Sequence, residues 1–436
     1  MKFAEKVIDI PNAFAPNPLI GEELPHYYCE ETMRVRTGDD YMSPIEDIYD
    51  ACRWPTERNA FLLLGHKGCG KSTELNHMSA RLREDGYQVF TIECGVDLDL
   101  NNPLYADLLI LMGEALLKIA ERTGCVLDAD TVQTVREFWT ADLEKCTTVT
   151  DGAAIQLEGG ASAETPGPIA SLLKIFVKIK ADLKFNEENR TIYREKVAKR
   201  AGEWIWALKN VADKITEKLD GKQPIIIFED LDKLNPEDAW KVFYHYAKTL
   251  TGVPIPVVYT FPIALSYDPR FSALDGFFVP KTLPMIKLEN IDGTRYDAGY
   301  DMILEIIEKR THKELFAENV LEDLIANTGG SLRDLFFAIN TSAQRAVRRK
   351  SGVIESEDAG KALEQLKTSL TRRIEQRHYA FLADIFKGNR ERIEDRKMLL
   401  EMLQANTVLE YNGRRWHNVH PLVVQFLKDQ GLVQND

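Results

Sequence analysis

The 436-residue chain has no C-x-x-C pair among its six cysteines and no surplus of positive charge. It also lacks any uninterrupted apolar run of about 18 residues, the length a membrane-spanning helix needs. Each absence excludes something. Unpaired cysteines argue against a zinc ribbon or a disulfide framework and for reduced thiols, which points to the cytoplasm. Without a long apolar run nothing is expected to span a bilayer, and the opening MKFAEKVIDIPNAF lacks the apolar centre of a secretory signal. A formal net charge of −13 excludes strong non-specific attraction of the whole molecule to nucleic acid. The charge is uneven, however. From Arg333 onward there are 18 Lys/Arg against 14 Asp/Glu, a surplus of +4, so the remainder carries −17. That mildly basic end is compatible with a nucleic-acid contact without establishing one. What is present is ordinary globular material, 44% hydrophobic and 28% charged, enough to build real cores in about three domains.

The most informative stretch is Phe61 to Leu75, FLLLGHKGCGKSTEL. Phe61 to Leu64 is a short apolar run, as expected of a parallel strand buried on both faces. The following Gly65-His66-Lys67-Gly68-Cys69-Gly70-Lys71-Ser72 fits the pattern G-x4-G-K-[ST] at each fixed position. Its glycines let successive N–H groups turn inward on phosphate oxygens. Lys71 supplies a point charge for the β- and γ-phosphates, and the Ser72 hydroxyl is placed to ligate Mg²⁺. Helix-compatible residues from Ser72 and Thr73 to Leu82 would put the phosphates on a helix N-terminus. Cys69 needs only to be small here and is given no redox role.

A second apolar strand, Ile225 to Phe228, ends in Glu229-Asp230-Leu231-Asp232-Lys233-Leu234. Buried strands seldom end in clustered carboxylates without a cation, because such charges repel and are costly to desolvate. One acid is expected to hold Mg²⁺, with Ser72, Glu229 and Asp230 as the metal set, and the next to orient the attacking water. A solvated acidic loop is the alternative.

Together the glycine loop, the strand and the acidic stretch resemble the AAA+ ATPases of the initiator/loader group and the neighbouring STAND signalling ATPases. The resemblance implies a three-layer α/β P-loop core, ATP and Mg²⁺ as cofactors, and ATP hydrolysis. It puts Glu229 near the metal and Asp230 in the catalytic slot. The usual order is Asp then Glu, and the reversal, with Asp one methylene shorter, implies a switch or slow ATPase rather than a fast motor. It also implies that a segment near Tyr41 to Ile48 covers the adenine. Thr260, ending the apolar strand Val257 to Thr260, falls at the sensor-1 position, though threonine also simply favours strands. Arg270 falls where an arginine finger for a neighbouring subunit would lie, and a solvated surface arginine is equally consistent. Thr328-Gly329-Gly330-Ser331-Leu332-Arg333-Asp334-Leu335 is a helix start in its own right and resembles a lid sensor-2 element. A cation in a first helical turn opposes the helix dipole, so Arg333 is expected to be favoured by phosphate.

The remaining stretches complete the expectation. Residues 1–58 form a lead-in, with Ser43 capping a helix from Pro44; residues 59–290 form the core; 291–376 a helical lid; and 377–436 a winged helix. Within the core, about 150–186 is read as an inserted β-hairpin. There Leu173 to Phe185 alternates apolar residues with Lys174, Phe176, Lys178, Lys180, Asp182 and Lys184, and Ala154 to Glu158 supplies the partner strand. Lysines on such a strand either protect an edge or contact phosphate. Glu187 to Leu219 reads as one long helix and Leu283 to Leu288 as the fifth strand. In the C-terminal part, helices at Tyr379 to Phe386 and Asp395 to Ala405 precede a hairpin turning at Asn412-Gly413, then a helix from Pro421. Arg414 and Arg415 on that wing suit DNA contact, while packing on the core or another protein is equally open. His417 and His420 read as wing packing rather than metal ligands. The expected protein is an ATP·Mg²⁺ switch with slow hydrolysis that controls a partner effector or its own homo-oligomer. The resemblance extends this to bacterial, including antiviral, defence. A DNA loader using the winged helix and a non-hydrolysing scaffold are the alternatives.

Overall fold

The computed structural model describes residues 1–38, 43–54, 58–149, 167–411 and 416–434, the side chains of 141–149 excepted. Five parallel strands form one sheet: β1 (Ala60–Gly65), β2 (Val89–Glu93), β3 (Ile225–Glu229), β4 (Val257–Pro262) and β5 (Val279–Thr282), in the order β2-β3-β4-β1-β5. Alternating residues of the apolar runs enter cores on opposite faces. Leu62, Leu64, Ile226 and Phe228 pack against the helix Tyr105–Arg122 and its neighbours. Phe61, Leu63, Ile225 and Ile227 pack against the helix Pro44–Arg53 and α1 (Lys71–Glu84). The result is a three-layer α/β P-loop core, in which β4 separates the glycine-loop strand β1 from the acid-bearing strand β3. Ser43 caps its helix as expected, its hydroxyl accepting from Glu46 N at 3.1 Å.

Three expectations differ from the structure. The alternating stretch is not a hairpin strand but a helix, α2 (Pro168–Phe185). Leu172, Phe176, Ile179 and Leu183 lie at helical spacing and are buried against the cluster holding Trp139 and Trp204, while Val177 and Phe185 are 64% and 80% exposed. Phe176, sitting on the polar side of the alternation, was the flaw in the period-two pattern. Burying four such side chains along one seam is worth about 1.5–3 kcal/mol each, and a strand would have split them between two faces. Its lysines act in part as tethers, Lys180 pairing with Asp97 at 2.7 Å and Lys184 donating to the Val96 carbonyl. The partner strand expected at Ala154 to Glu158 lies outside the described residues.

The long helix divides at Arg200, whose ψ of 32° breaks the run into Glu187–Lys199 and Ala201–Lys218. The fifth strand lies four residues earlier than expected, at Val279–Thr282. Pro280 is tolerated there because β5 is an edge strand. Leu283 and Met285 instead run on into the core beneath the C-terminal hairpin, Met285 N donating to Glu410 O at 3.3 Å.

After the sheet come the helices Asp297–Glu308 and Val320–Asn327, then α3 (Leu332–Arg348) and α4 (Ser356–Thr371). Ala4, Val7, Ile10 and Phe14 fill the core of this helical lid, so the lead-in packs with an element about 300 residues later rather than standing alone. The C-terminal unit has helices Tyr379–Phe386 and Arg396–Gln404, an antiparallel pair β6 (Val408–Tyr411) and β7 (Trp416–Val419), and a last helix Pro421–Asp429, the winged-helix arrangement. The expected turn at Asn412-Gly413, with Arg414 and Arg415, lies outside the described residues. Among those described, no helix is long and apolar enough to cross a membrane.

Candidate nucleotide site

The glycine loop leaves the C-terminal end of β1 and turns into α1. Gly68 and Gly70 have φ of +91° and +104°, in the region that favours glycine. At Gly68 the approach is also close, since a Cβ there would lie 2.4 Å from Arg333 Cβ. The lid arginine therefore rests directly on the glycine loop, although 265 residues separate the two in sequence.

One cavity of about 820 Å³ is lined by Gly68, Gly70, Lys71, Ser72 and Thr73, by Glu229 and Asp230, and by Arg333. The structure thus brings the expected phosphate loop, metal acids and lid arginine to one cleft. His66 and Cys69 belong to the same loop but are fully buried, and neither they nor Lys67 line the cavity. Thr260 is buried, its hydroxyl accepting from Leu231 N at 3.1 Å and donating to Phe228 O at 3.3 Å, so it braces the backbone that carries the acids. Arg270 is not among the cavity residues. It pairs with Asp268 (Nη2–Oδ2 2.7 Å) and lies over the Trp240 ring.

Several contributors carry no local motif. Arg36, 1% exposed, donates to Cys69 O and Pro284 O at 2.6 Å each and clamps the loop from below. Its nearest anchors are 33 and 248 residues away, so nothing in its own neighbourhood marks it. Pro18, Leu19, Tyr27 and Phe336 add apolar lining suited to a base. Of the expected adenine cover, the described residues Ser43 to Ile48 do not line this cavity. Ile45 and Ile48 pack on the opposite side of α1, and Tyr41 is outside the described residues.

The electrostatics are those of a cleft awaiting charge. Lys71 Nζ donates to Gly65 O (2.8 Å) and His66 O (2.9 Å) and pairs with Asp232 Oδ2 (2.8 Å), which uses all three of its protons. Burial works most strongly against its charge, but Asp232, through its field and its hydrogen bond, and Cys69 together hold its pKa above the ordinary value. Glu229 is 7% exposed, and its Oε1 has no hydrogen-bond partner. Burial pushes its pKa up to about 7, the Ser72 hydroxyl partly opposes this, and Asp230 and Asp232 add to the rise. A buried acid with an orphaned oxygen beside a serine hydroxyl fits a divalent cation. Among the described residues no three His, Cys, Asp or Glu converge on a metal position.

Glu229 makes a pH prediction. Its folded pKa lies above the unfolded value near 4.5, so the folded state binds the extra proton between the two. The nucleotide-free protein loses stability as pH rises from 4.5 to 7, by about 3 kcal/mol in all. Glu229→Gln removes this penalty. Its melting temperature should exceed the parent's at pH 8 and converge with it toward pH 4.5. Parallel curves across that range would refute the assignment.

The loop also touches the winged helix. His66 is fully buried, and burial lowers its pKa to about 3, so the ring is neutral. Its Nε2 accepts from Glu410 N at 2.8 Å, which leaves Nδ1 as the donor to Asn406 Oδ1 at 3.3 Å. The same Asn406 amide donates to Lys67 O at 3.1 Å. Tyr411 OH donates to Gly329 O at 2.7 Å, just before the lid helix carrying Arg333. His417 bonds Tyr267 OH at 2.8 Å and Arg390 O at 3.1 Å, in keeping with a packing role.

No family model matches the sequence, and no curated protein matches it. Among solved structures the chain is similar to Cdc6p from Pyrobaculum aerophilum (13% identity, TM-score 0.41, covering 97% of this chain and 99% of that one). It is likewise similar to the Aeropyrum pernix ORC2 protein in its ADPNP–ADP complexes (12%, 0.40, 98% of each chain) and its ADP form (11%, 0.41, 100% of each). At such identity the likeness carries no residue-level correspondence.

Proposed function

We propose that this chain is an ATP·Mg²⁺-dependent switch with slow hydrolysis, in which nucleotide state sets the positions of the lid and the winged helix. The supporting observation is the single cleft shared by Lys71, Ser72, Glu229, Asp230 and Arg333. Bound ATP·Mg²⁺ would supply a polyanion and a terminal phosphoryl group open to water. Lys71 and Arg333 would bind that anion, Ser72 and Glu229 would hold the cation, and Asp230 would orient the water. Core, lid and winged helix are the proposed moving parts. The output is a partner effector or further copies of this chain.

Coupling to the winged helix runs through His66 and Asn406, because a loop that reshapes around phosphate moves the groups those side chains hold. Scattering radius and solution mass should differ between nucleotide-free, ADP and non-hydrolysable ATP-analogue states, and identical values in all three would sink the switch. Asn406 has φ +57°, so Asn406→Gly keeps the backbone and removes only the amide. This variant should bind ATP as the parent does yet show a blunted radius change. A full parental response would show that coupling runs elsewhere.

A further inference from the structure

Beyond the nucleotide cleft, and sharing with it only Pro16 and Arg333, lies a second cavity of about 810 Å³ along the outer face of α3. Arg333, Phe337, Gln344 and Arg348 follow one another on that face, with Asn340 and Arg345 beside them. From Arg333 to Arg348 the helix rises about 22 Å. The three arginines make no ion pair among the described residues, in a molecule whose net charge is −13. Asp358, whose field reaches Arg345, is held by Arg349 at 2.6 Å. No carboxylate lines the cavity among the described residues. Two buried atoms of its lining have no partner: Asn340 Oδ1, an acceptor, and Arg345 Nε, a donor. Asn340 Nδ2 is already committed to Phe14 O at 2.8 Å, which fixes the oxygen as the free end.

A ligand matched to this row of arginines is anionic along its length. A single phosphate does not reach from one end of the arginine row to the other, whereas a nucleic-acid strand, with a phosphate at every nucleotide, does. Guanidinium groups bind phosphate in bidentate fashion, and amides read base edges. Phe337, 37% exposed in the middle of the row, offers a stacking face. We propose that the α3 groove binds single-stranded nucleic acid, phosphates on Arg345 and Arg348 and a base on Phe337. Because Arg333 forms the wall between groove and cleft, strand binding and nucleotide binding would bear on one side chain.

The test uses the full chain saturated with ADP and a fluorescein-labelled oligo-dT or oligo-U strand of ~12 nucleotides, followed by anisotropy over a salt series. The parent should bind the strand. Arg345→Ala/Arg348→Ala should weaken it by at least about tenfold and lower the slope of log K against log salt by about 1.4. Gln344→Glu/Arg348→Glu changes only exposed positions, so it keeps the fold and should weaken binding similarly. The same series on the parent with no nucleotide added should also show strand binding, and both groove variants should keep the parent's ATP affinity, which keeps this result separate from the nucleotide reading. The proposal is overturned if the parent binds no strand, or if both groove variants bind normally. It is equally overturned if duplex or polyglutamate competes as well as the strand, or if only Arg414→Ala/Arg415→Ala abolishes binding.

Discussion

Lys71→Ala loses ATP binding, with affinity falling by at least about a hundredfold, as expected when a buried ammonium facing phosphate contributes charge-assisted hydrogen bonds of 1.5–3 kcal/mol each. The same variant unfolds more easily without nucleotide. Asp232, 8% exposed, loses its partner at 2.8 Å, and an uncompensated buried carboxylate costs about 3–5 kcal/mol. The two effects can be separated. Lys71→Ala/Asp232→Asn removes the stranded charge and should recover most of the lost stability while still failing to bind ATP. Calorimetric titration and thermal melting on both variants check this, and ATP binding retained by either removes the phosphate-loop assignment. Asp232 also competes for Lys71 in the empty protein. Asp232→Asn alone should therefore bind ATP more tightly than the parent.

The parts of the site legible in the sequence are those written in consecutive residues. The loop from Gly65 to Ser72, the strand ending at Glu229 and Asp230, and the helix start at Ser331 to Arg333 each carry their meaning in a spacing of eight residues or fewer. Their convergence on one cleft followed from the motifs together, not from any one of them. Contacts made across the chain left no such trace. Arg36 sits in an unremarkable MRVRT segment, and the bonds of Asn406 and Glu410 to His66 and Lys67 span 339 to 344 residues. In α2 the physical reason is different. Its lysines alternate with apolar residues by composition, while the face that packs on Trp139 and Trp204 repeats every three to four positions. Both periods were present, and only burial decides between them.

Asp230→Asn is expected to keep ATP affinity while turnover falls by about 10²–10⁴, the range a positioned general base contributes. The geometry explains why the parent itself should be slow. Asp230 has φ +70°, which aspartate tolerates better than most residues, and its Oδ1 is paired with Lys233 at 2.5 Å. Its Oδ2 lies where a Cβ on Gly95 would be only 2.5 Å away, so the carboxylate is wedged toward β2 and depends on that glycine for room. The pair with Lys233 holds the carboxylate in place, and one methylene less than glutamate shortens its reach into the cleft. Lys233→Ala releases the carboxylate and should raise turnover above the parent's, whereas Gly95→Ala displaces it and should lower turnover without affecting ATP binding. Phosphate release under single-turnover conditions reads all three variants. Turnover in Asp230→Asn equal to the parent's would place the water-orienting role on another acid, and Glu93, opposite Glu229 in the sheet register and lining the same cavity, is the residue to substitute next.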